Sequence, residues 1–105
     1  MTKWWNVSST YSAHDAVRWT TPASDDLATI VTRIRDENPE AARRVAKSIF
    51  DGVATLRTFP SRGRIGLADN TREMVFASWP YIAVYEIIED QVQVLRIRHA
   101  SQDWP

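Results

Sequence analysis

The chain has 105 residues, and its thirteen basic and thirteen acidic side chains cancel to a formal net charge of zero. That length gives one domain, able to bury roughly two thirds of the surface its unfolded form exposes. Balanced charge argues against strong non-specific attraction to nucleic acid or anionic membrane, though a local basic patch remains open to it, and the absence of cysteine excludes disulfides and thiolate chemistry.

Residues 1–16 (MTKWWNVSSTYSAHDA) are rich in polar side chains yet carry Trp4, Trp5 and Tyr11 without periodicity. They read as an extension to a domain of residues 17–105. It is either a loose tail or a segment whose paired indoles dock on a partner or a second copy. A short strand is expected at residues 17–20. Thr21 then suits a helix cap, with Pro22 at the first helical position and Asp25 and Asp26 in the first turn, where the helix dipole favours acids. Ala23, Leu27, Ile30 and Ile34 recur at helical spacing to about Asp36.

Asn38-Pro39 repeats the cap and proline and opens a second helix with the stripe Ala42, Val45, Ala46, Ile49, Val53 and Leu56. Arg43, Arg44 and Lys47 lie mostly outside that stripe. Only Glu37 and Asn38 separate the helices, which predicts an antiparallel hairpin. Gly52 inside the second helix costs about 1 kcal/mol relative to Ala, so close packing is its expected reason. Residues 59–66 (FPSRGRIG) break the helix as a glycine-punctuated loop.

Three apolar-alternating runs follow. In residues 71–78, Arg72, Met74 and Phe76 alternate with Glu73, Val75 and Ala77, the period of two of a pleated strand. In residues 81–88 both faces are largely apolar, as a central strand requires. Glu89-Asp90 makes a tight turn, and residues 92–98 then set Val92, Val94, Arg96 and Arg98 against Gln93, Leu95 and Ile97. Such close spacing implies an antiparallel meander. The expected fold is α+β, in the order β-α-α-β-β-β. Its helical hairpin packs on one face of a small antiparallel sheet, and the other face is left for chemistry or a partner.

No apolar run approaches the roughly 18 residues of a membrane span, and the first residues lack the apolar core of a secretory signal. A soluble, cytoplasmic protein is expected.

The linked series VRWTTPASDDLATI, NPEAARR, LRTFPSRGRIG, TREMVF, PYIAVYEI and VQVLRIRHASQDWP, running from Val17 to Pro105, resembles the RelE/ParE superfamily of toxins from bacterial type II toxin-antitoxin modules, also called plasmid-stabilisation proteins. The resemblance implies the compact α+β fold these toxins share with small microbial ribonucleases. RelE-like members cut mRNA in the ribosomal A site, whereas ParE-like members poison DNA gyrase. Metal-free RNA cleavage needs a base for the 2′-OH, an acid for the leaving oxygen and cations around the transition state.

RelE-like nucleases commonly place an arginine directly after the first tyrosine of a Y-R-x-V-Y pattern and add a C-terminal tyrosine or histidine-tyrosine pair. Here the pattern is Tyr81-Ile82-Ala83-Val84-Tyr85, with Ile82 in the arginine's place, and Trp104-Pro105 supplies no acid. Both departures favour the ParE-like branch, a non-enzymatic poison of gyrase. A ribosome-dependent mRNA endoribonuclease is the alternative, and a toxin with lost potency that mainly forms a repressor complex is a third.

Arg64, Arg72, Arg96, Arg98 and His99 form a loose basic set. For a nuclease, Arg72, Glu73, Arg96 and His99 are the catalytic candidates, with Glu73 or His99 as base. For a gyrase poison, Arg64, Arg72, Arg96 and Arg98 are the target contacts. Strict alternation places Arg96 and Arg98 on one face of the last strand and His99 on the other, unless the strand bends. The competing structural roles make Arg72 and Glu73 partners of sheet and loop, Arg98 a solvated edge residue and His99 a packed or capping histidine. No nucleophilic triad stands out, and His14 and His99 lack metal-ligand spacing, so neither a metal nor an organic cofactor is expected.

The resemblance further implies a cognate antitoxin with a DNA-binding N-terminal half and a C-terminal segment that folds onto the toxin. Operator DNA would then be reached only through the antitoxin. Val31, Phe50 and Ala54, beside the core stripes, are either an apolar groove for that segment or ordinary core.

Overall fold

Two proline-marked caps set the helical half of the fold. The computed structural model describes residues 17–101; the expectations for residues 1–16, His14 and Trp104-Pro105 lie outside the described residues. Strand β1 (Val17–Trp19) leads through Thr20 into helix α1 (Thr21–Glu37), and α2 (Pro39–Ala54) follows at once. Thr20, not Thr21, is the cap of α1. Its backbone is still extended, and its hydroxyl accepts from the Ala23 amide at 3.4 Å while donating to the Val94 carbonyl at 2.7 Å. The cap moves back one residue because that bond to the Val94 carbonyl holds the Thr20 side chain. Pro22 consequently takes the second helical position, and Asp25 and Asp26 fall beyond the first turn.

Asn38 serves both helices. Its amide closes α1 on the Ile34 carbonyl at 2.8 Å, and its side-chain oxygen accepts from the Ala41 amide at 3.1 Å to open α2.

After α2 come two short 3-10 turns, Thr55–Arg57 and Pro60–Arg62, then β2 (Arg64–Ile65), β3 (Arg72–Val75), β4 (Tyr81–Ile88) and β5 (Gln91–His99). The five strands form one sheet in the order β1-β5-β4-β3-β2. The meander is antiparallel as expected, but β1 pairs parallel with β5, so the sheet is mixed. A parallel neighbour is possible because the whole helical hairpin lies between β1 and the meander. Strand β2 was expected as loop; two residues are too few to display alternation. Glu89 and Asp90 both have positive φ, 51° and 67°, the geometry of a two-residue hairpin turn.

In β5 the register shifts by one residue: Tyr85 lies opposite Val94 and Val84 opposite Arg96, so Leu95 is an extra, bulged residue. The bulge overturns the strict alternation expected for β5. Val92 and Val94 now share a face with Ile97, and all three join Trp19, Ala23, Leu27, Ile49, Val53, Met74, Phe76, Ala83 and Tyr85 in the core under the helices. The face away from the helices is not bare in its middle, since Glu73, Ile82, Val84 and Arg98 are all buried.

Gly52 earns its place by proximity. A Cβ there would lie 2.6 Å from Phe76 Cε1 and 3.2 Å from Met74 Cε, and both side chains are buried. Ala would gain about 1 kcal/mol of helix preference, but overpacking a filled core costs about 1–3 kcal/mol. Gly52→Ala is therefore expected to lower stability by about 1 kcal/mol, read as a fall of roughly 4–8 °C in melting temperature by circular dichroism.

Candidate functional site

Glu73 is the centre of the polar arrangement. It stands on β3 opposite Val84 of β4, and its carboxylate is almost wholly buried, with a side-chain exposure of 2%. Arg64, directly across β2, donates to Oε1 through Nε at 3.1 Å and Nη2 at 2.9 Å. Arg98 Nη2 lies 3.5 Å from the same oxygen, and the Leu67 amide donates to Oε2 at 3.4 Å. Burial by itself raises the carboxyl pKa. The hydrogen bonds from Arg64 and Leu67 and the charges of Arg98 and Arg64 outweigh it, and the net shift is below the ordinary value.

Glu73 is therefore held ionised with both oxygens engaged, and Arg98, expected as a solvated edge residue, is a buried member of this cluster with 8% side-chain exposure. Its burial follows from register, which sets Arg98 opposite Ile82 in the middle of the sheet.

Arg72 points to the other face. It pairs with Tyr85 in register, and its Nη1 donates to the carbonyls of Gly63 at 2.8 Å and Ser61 at 3.2 Å. Arg72 thus holds the loop before β2 and shares no contact with Glu73's carboxylate.

Arg96 turns to α1. Its Nε and Nη2 bind the two oxygens of Asp26 at 2.7 and 2.9 Å, and Asp26 also accepts from the Ile97 amide at 3.0 Å. Beyond the end of β1 the edge of β5 would otherwise lack a partner, so this carboxylate replaces the missing strand. The hydrogen bonds that Arg96 donates to Asp26, with that carboxylate's charge, hold the guanidinium still more firmly protonated.

His99 stacks edge-on against Tyr81, with centroids 5.6 Å apart, and its Nδ1 lies 3.1 Å from the Ser101 amide and 2.7 Å from the Ser101 hydroxyl. The register sets His99 opposite Tyr81, one residue out of phase with the Ile82 and Arg98 pair. The four nuclease candidates are therefore distributed over four separate settings, with Glu73 in its arginine cluster, Arg72 on the loop, Arg96 on Asp26 and His99 between Tyr81 and Ser101. Among the described residues no group of His, Asp and Glu could hold a metal ion.

The candidates for antitoxin binding also separate. Val31 is partly buried against the core. Phe50 stacks on Trp19 with centroids 6.4 Å apart and keeps 41% exposure, while Ala54, one turn along α2, is exposed.

Sequence reasoning missed Tyr85. Its fully buried hydroxyl accepts from the Gly63 amide at 2.8 Å and donates to the Pro60 carbonyl at 2.7 Å, which fixes the loop from beneath. A tyrosine in an otherwise apolar central strand was the available signal, because a buried phenol needs a partner. Above this anchor Phe59 is 62% exposed.

Compared with known proteins, residues 17–104 match the family described as the ParE toxin of type II toxin-antitoxin system, parDE. The chain is 42% identical over 89 residues to the candidate toxin Y4kP of Sinorhizobium fredii, covering 85% of this chain and 92% of that one. It is 36% identical over 86 residues to toxin RelE2 of Caulobacter vibrioides, with 82% and 96% covered. A solved chain of the chromosomal ParDE system from P. aeruginosa superposes with a TM-score of 0.77 at 25% identity, over 85% of this chain and all of that one.

Proposed function

Because the chain belongs to the family of ParE toxins of type II toxin-antitoxin systems, we propose that it inhibits growth in the cytoplasm by binding DNA gyrase, and that a cognate antitoxin silences it by folding onto its surface. The observation that carries the gyrase target is the dispersal of the nuclease candidates. Glu73, the one buried carboxylate that was a candidate base, has its oxygens taken by Arg64, Arg98 and the Leu67 amide. A base needs a free lone pair within reach of the proton it takes. Arg96 and His99, bound to Asp26 and Ser101, stand apart from it.

A poison of this kind performs no bond chemistry of its own. It binds the cleaved-DNA state of its target better than the resealed state and shifts the population by that difference in affinity. Arg64 retains 59% side-chain exposure and, with the arginine-bearing loop beside it, offers such a contact surface. Phe50 and Ala54 on α2, with Val31 on α1, are the apolar positions proposed for the antitoxin segment.

The purified chain, added to a supercoiling reaction, is expected to abolish supercoiling and accumulate cleaved DNA while leaving labelled mRNA intact in a translating extract. Arg96→Ala and His99→Ala are expected to remain toxic when expressed without antitoxin. Cleaved mRNA with normal supercoiling, and loss of toxicity in both variants, would establish a RelE-type endoribonuclease instead. Unaffected growth would indicate a module that works mainly as a repressor complex.

A further inference from the structure

Charge on this neutral chain is not evenly spread. Between Asp51 and Asp69 there are three arginines, Arg57, Arg62 and Arg64, and no acidic residue. All three are exposed, and they flank Phe59, whose ring is 62% exposed. Thr58, Phe59, Pro60, Ser61 and Arg62 line an open hollow of about 650 Å³. The loop that carries them is held at four backbone groups. Tyr85 Oη binds the Pro60 carbonyl and the Gly63 amide, and Arg72 Nη1 binds the Ser61 and Gly63 carbonyls. Arg62 is further steadied by the Thr55 hydroxyl at 2.9 Å.

An aromatic ring held outward on a pinned loop that carries arginines and no acid of its own, with Arg64 still 59% exposed beside its partner Glu73, is a poor way to stay soluble and a good way to bind. Guanidinium groups suit phosphates, and an exposed ring suits the face of an unstacked base. Prior fixing of the loop removes much of the ordering cost of binding. We propose that residues 57–64 form a contact site for single-stranded nucleic acid, with Arg57, Arg62 and Arg64 on the phosphates and Phe59 stacked on a base. The proposal deepens the gyrase assignment, since a cleaved-DNA state presents such strands, but it is tested without gyrase. Ile65 and Leu67, also exposed, extend the same surface, so an acidic polypeptide is the competing occupant.

The test is fluorescence anisotropy of a labelled single-stranded DNA oligonucleotide titrated with the full chain at low salt. Binding in the range of about 1–100 μM is expected, weakening as salt rises with a log–log slope of about −2, as three phosphate contacts on a single strand imply. Phe59→Ala and Arg62→Glu are each expected to weaken binding by about tenfold or more. Arg43→Glu, on the exposed face of α2, should leave it unchanged. No anisotropy change over that range, an equal loss in Arg43→Glu, or equally effective competition by polyglutamate would each overturn the site. Supercoiling assayed in parallel separates the two proposals. Gyrase inhibition without oligonucleotide binding removes the nucleic-acid site and leaves the gyrase target, whereas binding without inhibition does the reverse.

Discussion

Glu73→Ala is expected to cost about 3–5 kcal/mol of folding free energy, the range found when one partner of a buried ion pair is removed. In a chain of this size that lowers the melting temperature by well over ~10 °C. The cost arises on the other side of the pair. Arg98, at 8% side-chain exposure, loses the carboxylate that faces it, and the Leu67 amide loses its acceptor. Arg64 contributes less because it remains 59% exposed and water replaces its partner. Glu73→Gln keeps the shape and one acceptor oxygen, and should lose roughly half as much.

The same carboxylate gives the fold an acid limit. Its pKa is lower in the folded chain than the ordinary 4.5, so the unfolded chain takes up its proton first as pH falls. The stability contributed by Glu73 is complete above that ordinary value and is lost as pH drops through the folded one. Melting temperature plotted against pH should fall less steeply on the acid side in Glu73→Gln than in the parent chain. Parallel curves, or a loss under about 1 kcal/mol in Glu73→Ala, would show that the ion pair contributes little net stability.

Gly63→Ala should be more damaging than Gly52→Ala, although each adds a single methyl group. The added Cβ would lie 2.6 Å from Tyr85 Oη, 2.8 Å from Tyr85 Cε1 and 2.9 Å from the Glu73 carbonyl. None of these can withdraw easily, because Tyr85 is fully buried and Glu73 is paired in the sheet with Arg64. Gly63 has φ −72° and ψ 154°, which alanine adopts freely, so backbone preference favours the substitution and the whole penalty is steric. A loss of about 2–4 kcal/mol is expected, combining overpacking with a displaced hydrogen bond.

Tyr85→Phe removes the hydroxyl from Gly63 and Pro60, at about 1–3 kcal/mol. Combined, the two changes should cost less than their sum, since deleting Oη relieves the closest contact. Urea unfolding of the three variants measures this coupling. Strict additivity would mean that the loop moves instead of the ring.

Features that depend on neighbouring residues were legible in the sequence. Asn38-Pro39 marked a helix start, the two amphipathic stripes gave the hairpin, and Glu89-Asp90 gave the turn. Long-range contacts decided the rest. Two adjacent threonines offer the same capping hydroxyl, and only the Val94 carbonyl selects Thr20. The bulge at Leu95 carries no glycine, so nothing local announced that Ile97 would rejoin Val92 and Val94 in the core. The structural roles weighed for Arg72, as a loop partner, and for His99, as a capping group, match their hydrogen bonds. Arg98 was misjudged because burial depends on which residue of β4 lies opposite. The arginines gathered on Glu73, Arg64 of β2 and Arg98 of β5, lie more than thirty residues apart in the chain, so no local pattern could report the cluster.

The far rim of the sheet shows how the chain manages its own edges. A free strand edge is a template on which another chain can pair and begin an aggregate. Strand β2 is such an edge, yet its ladder is almost spent. Gly66 bonds Thr71 and Arg64 pairs with Glu73, so of the strand's two residues only Ile65 turns its amide and carbonyl outward. On either side, the Gly63 amide and carbonyl belong to Tyr85 and Arg72, and the Leu67 amide belongs to Glu73. The contacts that position the loop thus leave room for one residue of added strand, too little to seed a growing sheet, and the exposed Ile65 and Leu67 side chains can face solvent without making the rim self-adhesive.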